Sequence, residues 1–259
     1  MKKFIILVYG VLAYILFLFS FLYAIGFVGN LIVPKSIDSG NETDFLAALV
    51  FNIVLLSVFA LQHSIMARPA FKKLWIRIIG KAVERSTYVL FSSLALILIF
   101  WKWQPMTDTV WSIENNALAL SLRALFFMGW AIVLLSTFMI SHFELFGLTQ
   151  IFNNFKNKVS QSPKFQVNFF YKLVRHPIML GFLVAFWATP VMTTGHLLFT
   201  VITTAYILIA VKFLEEKDLK KALGSKYVNY QKEVPMIIPF TKKRKVSAKS
   251  RTLVQTNEV

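Results

Sequence analysis

Cysteine is absent from the sequence, acidic residues number only 12 in 259, and charged residues of both signs make up 15%. Soluble chains carry about 25% charged residues. The missing thiols exclude disulfides, cysteine nucleophiles, thiolate-bound zinc and iron–sulfur clusters. A glycine-rich phosphate loop is also lacking, which weighs against a site for ATP or NADPH. No internal repeat is visible, which weighs against an inverted-repeat transporter. The apolar runs carry almost no ionisable residues, whereas ion and proton pathways leave buried Asp, Glu, Arg or His at mid-depth.

What remains is apolar. Hydrophobic residues reach 57%, with 26 Phe, and they gather in long runs. A bilayer core takes roughly 20 apolar residues per helix, and a backbone there must satisfy itself as helix or closed barrel. The runs are continuous rather than alternating, which excludes a barrel. They predict spans near 4–28, 45–66, 87–103, 118–141, 177–191 and 196–214. The fifth is short for a full crossing and is expected to be tilted or shielded by protein. Thr189-Pro190 and Thr193-Thr194-Gly195 form the turn that joins it to the sixth. The expected fold is all-α, a polytopic transmembrane helical bundle of five or six spans with a C-terminal helical hairpin and a cytoplasmic amphipathic helix over 215–233.

The expected organisation is 1–141 as N-terminal helices, 142–240 as loop, hairpin and cofactor-binding region, and 241–259 as a disordered basic tail. The first run follows Met1-Lys2-Lys3, exceeds a signal-peptide core and lacks a small-residue cleavage site, so it reads as a retained span. Between the second and third runs, Arg68, Lys72, Lys73, Arg77, Lys81 and Arg85 interleave with Trp75, Ile76, Ile78 and Ile79, a pattern suited to the membrane interface.

The net charge is +16. With the N-terminus inside, only Lys35, Lys102 and Arg123 of the 28 basic residues fall outside, while Asp38, Glu42, Asp44, Asp108 and Glu114 do. This positive-inside bias places both termini in the cytoplasm of a bacterial inner membrane and accounts for the charge without a nucleic-acid partner. Membrane lipids are the expected surroundings; the sequence says nothing about oligomeric state.

In that topology His63, His142 and His176 all fall at cytoplasmic helix ends, near Glu144, Arg175, Glu215 and Glu216, and His196 lies alone on the far side. Interfacial helix ends tolerate histidine in general, but three on one face beside these charges point to a site. Arg175-His176-Pro177 marks a helix start, because proline suits the first helical position and holds the preceding residue out of helical geometry. Such a start offers free N–H groups and positive potential to a carboxylate or phosphate; the plainer reading is a capped start with Arg175 snorkelling to headgroups. Gly181, one turn on, would admit a ligand or a neighbouring helix.

Glu215-Glu216 stands at the end of the last span, where the helix dipole disfavours carboxylates by roughly 0.3–1 kcal/mol each. The plainer reading is a surface ion-pair cluster with Lys212, Lys217, Lys220 and Lys221. The functional one is that they accept hydrogen bonds from an ammonium or ribose hydroxyls, with Gly224, Tyr227, Tyr230 and Val234-Pro235 folding back as a lid. Aromatic faces hold a sulfonium by cation–π attraction. Carboxylate, amine, ribose and sulfonium coexist in S-adenosyl-L-methionine.

Arg175-His176-Pro177, Gly181, Glu215-Glu216, Gly224, Tyr227, Tyr230 and Val234-Pro235 together resemble the C-terminal half of the isoprenylcysteine carboxyl methyltransferase and phospholipid methyltransferase superfamily. Leu61 to Pro69, Glu84 to Tyr88, His142 to Leu148 and Phe182 to His196 narrow the likeness to the methanethiol S-methyltransferase family and, more distantly, to NnrU-type membrane proteins. The resemblance spans residues 1 to about 240. It implies S-adenosyl-L-methionine as methyl donor and a small thiol, methanethiol, as acceptor, giving dimethyl sulfide. It also implies Arg175, His176, Gly181, Glu215, Glu216, Tyr227 and Tyr230 as the cofactor set; no metal is expected. The superfamily often has a tyrosine two residues after the motif's proline; Met179 stands there, so no role for that tyrosine carries over.

A thiol must react as thiolate, which calls for a base or a nearby cation. His142 and His63 are the candidate bases, Glu144 the candidate orienting group, and Arg85 or Arg175 the cation favouring the anion. Alternatives are another lipid or prenylcysteine acceptor, an NADPH-dependent reductase of similar fold, a metal site of His63, His142 and His176, and a non-enzymatic NnrU-like role in nitrogen-oxide metabolism.

Overall fold

The computed structural model describes residues 2–158, 165 and 167–241. The chain runs through α1 (Lys2–Gly29), α2 (Phe45–Ala67), α3 (Pro69–Ile79), α4 (Glu84–Lys102), β1 (Thr109–Ser112), α5 (Asn116–Ile140), α6 (His142–Leu145), α7 (Leu148–Phe155), α8 (Pro177–Trp187), β2 (Val191–Thr193), α9 (Thr194–Ile209), α10 (Glu216–Leu223) and α11 (Ser225–Glu233). A π-helical turn, Ala210–Glu215, joins α9 to α10 without a break. Among the described residues five helices, with α9 to α10 counted as one, are long and apolar enough to cross a membrane. The molecule is a multi-pass, all-α membrane protein.

Helix ends follow local chemistry. Asp44 caps α2 by accepting from Ala47 N at 2.9 Å, and Asn115 caps α5 by accepting from Ala117 N and Leu118 N at 3.0 Å each. Thr193 caps α9 through His196 N at 3.1 Å. These side chains satisfy N–H groups that a helix start leaves without partners. Along α1, α2 and α5 most exposed residues are apolar, among them Leu12, Phe19, Val50, Val54, Leu120 and Phe127, as lipid contact requires. The core is aromatic: Phe27, Phe100, Trp103, Phe126, Trp130, Phe186 and Phe199 pack together, mostly edge to face.

With 11 residues, α8 reaches only about 16 Å, half a bilayer core. It is held by α5 instead. A Cβ on Gly129 would lie 2.7 Å from Gly181 O, and one on Gly181 2.7 Å from Gly129 O, so the two backbones touch. Small residues permit this approach in membranes. The shielding expected for the fifth apolar run is therefore a glycine crossing. Gly181 serves the neighbouring helix, the second of its two expected uses.

The segment between α4 and α5 holds β1, which pairs antiparallel with β2 in a small ribbon that matches Trp111 with Met192. One expectation needs correction: the last span does not end at 214. It continues to Leu223 and breaks at Gly224, whose φ of 58° suits glycine. Charged residues do not end a helix that leaves the bilayer; a glycine at positive φ does. Glu215 and Glu216 accordingly lie within a continuous helix, and the expected terminal-dipole cost does not apply to them. The expected basic tail lies outside the described residues apart from Thr241.

Candidate active site

Pro177 opens α8, and the two residues before it are held by the chain's own return. Arg175 N donates to Pro235 O at 2.9 Å and His176 N to Met236 O at 3.1 Å, so residues 234–236 strap the helix start. Opposite stands the π turn. Its extra residue swings the two adjacent glutamates so that both meet His176: Nδ1 lies 3.5 Å from Glu215 Oε1 and Nε2 3.0 Å from Glu216 Oε1.

The two carboxylates then part company. Glu216 is 6% exposed. Its Oε1 accepts from Arg175 Nε at 2.7 Å, His176 Nε2 at 3.0 Å and the Tyr227 hydroxyl at 3.0 Å, and Gln231 Nε2 donates to Oε2. Arg175 has further bonds to Val234 O at 2.5 Å and Gln231 O at 3.3 Å. Glu216 is thus saturated, and the guanidinium expected to take a ligand carboxylate is engaged within the protein. The side chain of Glu215 is 44% exposed and pairs only with His176 among the described residues.

Burial alone would lower the pKa of His176, but its hydrogen bonds to Glu215 and Glu216 and their charges outweigh that and raise it to about 9. The ring is an imidazolium at neutral pH, held between two carboxylates. Tyr227 is held as the neutral phenol by burial and by the Glu216 charge, and Tyr230 by burial. Tyr230 donates to Tyr171 O at 2.5 Å and packs against Tyr227.

Facing Glu215 are the ends of α2 and α4. His63 on α2 has Tyr88 Oη 2.8 Å from Nε2 and 3.1 Å from Nδ1, with Ser92 Oγ 3.1 Å from Nδ1. Arg85 lies over the Tyr88 ring, 5.0 Å from its centroid, and donates through Nε to Leu145 O at 2.5 Å. Ser64 and Tyr206 share a hydrogen bond at 3.1 Å, and Arg68 pairs with Asp218 at 2.9 Å, so α2 is tied twice to the α9–α10 helix. Glu215 is near enough to act electrostatically on His63, Tyr88, Tyr171 and Tyr206.

His142 sits elsewhere. Its Nδ1 meets Thr137 Oγ1 at 2.8 Å and its Nε2 meets the Tyr14 hydroxyl at 2.8 Å, while Phe138 stacks on the ring at 4.2 Å. Burial lowers its pKa. Thr137 and Tyr14 orient this ring; Glu144 does not bond to it. Of the residues singled out from sequence, Arg175, His176, Glu215, Glu216 and Tyr227 meet directly, Tyr230 adjoins them, His63 lies within electrostatic reach of Glu215, and Arg85 lies beside Tyr88. His142, Glu144 and Gly181 stand apart. Among the described residues no three His, Cys, Asp or Glu side chains gather as a metal-binding set. The residues sequence reasoning missed are Gln231, Ser92, Tyr88 and Tyr206. Tyr88 lies in a motif already noted, Glu84 to Tyr88, and only the helix pairing assigns it a neighbour.

A polytopic α-helical bundle with a charged cluster at one end defines a class of multi-pass membrane protein. The chain belongs to the NnrU family, whose model, described as NnrU protein, matches residues 51–234. It is 50% identical to Methanethiol S-methyltransferase 1 of Bradyrhizobium diazoefficiens over 92% of this chain and 83% of that one. It is likewise 50% identical to Methanethiol S-methyltransferase of Mycobacterium tuberculosis, over 93% of this chain and 98% of that one. Nurim of Xenopus laevis is 28% identical over 74% of this chain and 71% of its own. No solved structure matches the chain.

Proposed function

We propose that the chain methylates methanethiol to dimethyl sulfide, with S-adenosyl-L-methionine as donor, at the cytoplasmic face of a bacterial inner membrane. The observation that carries the reading is half identity, over more than nine-tenths of the chain, to relatives that bear this activity in their names. The donor set supports it. Glu215 offers a half-exposed carboxylate for an amine or ribose hydroxyl, beside a cationic His176 and the rings of Tyr171 and Tyr206. Glu216, Arg175, Tyr227 and Gln231 form the frame that fixes His176, and through it Glu215. S-adenosyl-L-methionine supplies an electrophilic methyl on sulfur when bound. The protein's part is to align thiol and donor and to keep water out. Helices within 1–141 supply His63 and Arg85 for the acceptor side, and 142–240 supplies the donor side. A small apolar thiol and its sulfide product are able to enter and leave through lipid.

Cells expressing the chain and given methanethiol should release dimethyl sulfide into the headspace, with label from methyl-labelled donor in purified protein. Donor binding without transfer to any thiol would overturn the acceptor; no donor binding would overturn the whole reading. For topology, the chain has no native cysteine, so single-cysteine variants at Thr107 and Lys172 should label from opposite sides of inner-membrane vesicles. Labelling from one side would refute the orientation.

A further inference from the structure

The proposed reaction needs a thiolate, and two histidine neighbourhoods compete to produce it. The His142 ring has both nitrogens engaged, by Thr137 and Tyr14, and is packed against Phe138, Phe143 and Phe146, with no charged side chain bonded to it. The His63 ring lies within electrostatic reach of the open Glu215 carboxylate. From α4 it meets Tyr88 and Ser92, and Phe59 stacks on it. Arg85 and Arg68 act on it through their charges, and Tyr206, bonded to Ser64, packs on Phe59.

We propose that Tyr88 and His63 form the proton relay that ionises the acceptor thiol, with Tyr88 as the catalytic residue that touches the sulfur and Ser92 as the positioning residue that fixes the imidazole. This rests on the reading of the chain as a thiol methyltransferase. In this relay His63 Nδ1–H donates to Ser92 Oγ and leaves Nε2 as acceptor for the Tyr88 hydroxyl, 2.8 Å away. The thiol S–H bond breaks and its proton passes to Tyr88 Oη as the tyrosine's own proton passes to His63 Nε2. The sulfur electron pair forms the new S–CH3 bond while the donor's S–CH3 bond breaks and leaves its pair on the donor sulfur. One positive charge, lost from the sulfonium, reappears on the His63 imidazolium, which then releases its proton to water. Burial, Arg85 and Arg68 oppose that imidazolium, so it passes its proton on quickly; the Glu215 carboxylate favours it, and the two arginines favour the thiolate.

The test uses full-length protein in nanodiscs, with S-adenosylhomocysteine affinity measured by calorimetry beside the rate of methyl transfer over a pH series. Tyr88→Phe should lower turnover of methanethiol by ~100-fold, the lower range for a lost general base, with S-adenosylhomocysteine affinity unchanged. The loss should shrink toward alkaline pH and should largely vanish with an aromatic thiol already ionised at the assay pH. His63→Gln, which keeps a hydrogen-bond acceptor but does not titrate, should reproduce that pattern, so the proposal survives if Tyr88→Phe fails to fold. Ser92→Ala should give a weaker loss with the same pH dependence. An equal loss for ionised and un-ionised thiols, or an unchanged pH profile, would overturn the relay while leaving the methyltransferase reading intact. Wild-type protein that binds S-adenosylhomocysteine yet methylates no thiol would overturn that reading itself.

Discussion

The two ends of the bundle are built on different principles. At the ribbon end, polar side chains complete backbone. Asn52, fully buried on α2, donates to Gln104 O at 2.7 Å and accepts from Gln104 N at 2.9 Å. His196 reaches Phe186 O at 3.0 Å, and Asp38 accepts from Thr193 Oγ1 at 2.5 Å. At the other end, charged side chains pair across long sequence distances: Arg175 with Glu216, His176 with both glutamates, Arg68 with Asp218. One carboxylate and one imidazole there remain partly open. A closed polar cap serves folding; a charged frame with an open member suits a ligand.

The sharpest way to break this contrast is at Glu216. Glu216→Gln removes the charge that Arg175 and His176 share, and breaking a buried pair costs about 3–5 kcal/mol. Thermal unfolding in detergent should show a large drop in midpoint; an unchanged midpoint would refute the frame. Glu215→Gln should act chiefly on binding. The midpoint should fall far less than for Glu216→Gln, by the share of the His176 pairing that Glu215 supplies, while donor affinity falls roughly ten- to 150-fold, the equivalent of a charge-assisted bond of about 1.5–3 kcal/mol. Calorimetry that finds wild-type affinity would remove Glu215 from the site. At the ribbon end, Asn52→Ala strands a buried amide and carbonyl at a cost of about 1–3 kcal/mol. It should lower the unfolding midpoint with no change in donor affinity, and a change in affinity would show the two ends to be coupled.

Alkaline titration is the mildest perturbation. The folded-state pKa of His176 stands near 9, above the ordinary 6.5. Its charge therefore stabilises the fold fully below about pH 6.5, and that contribution fades as pH rises through about 9. His176→Asn should flatten the midpoint-versus-pH curve between these limits; an equally steep curve would assign the fade to another group.

Much of this was legible in sequence because the signals are local. Runs of apolar residues fix helix number, proline fixes the start of α8, and the bias of lysine and arginine fixes an orientation for the reading. Adjacent glutamates after an apolar run also stood out. Their division of labour did not, since it depends on one extra residue in the Ala210–Glu215 turn, and π turns leave no periodic signature. Arg175 was visible as a cation but not as the partner of Glu216, 41 residues on. His63 and His142 look alike in one dimension, each polar at the end of an apolar run. Only the pairing of α2 with α4, and of α1 and α5 around His142, separates them.

The strap at 234–236 has a consequence for biogenesis. Arg175 and His176 emerge from the ribosome well before Glu216, Tyr227, Gln231 and Pro235, the groups that neutralise or hydrogen-bond them. The nascent bundle must therefore insert with an unpaired guanidinium at its rim and an imidazole whose charge awaits Glu215 and Glu216, and the charged frame closes last, when residues 234–236 dock. Premature termination anywhere between α10 and Met236 would leave helices threaded through lipid with the Arg175–His176 corner unstrapped.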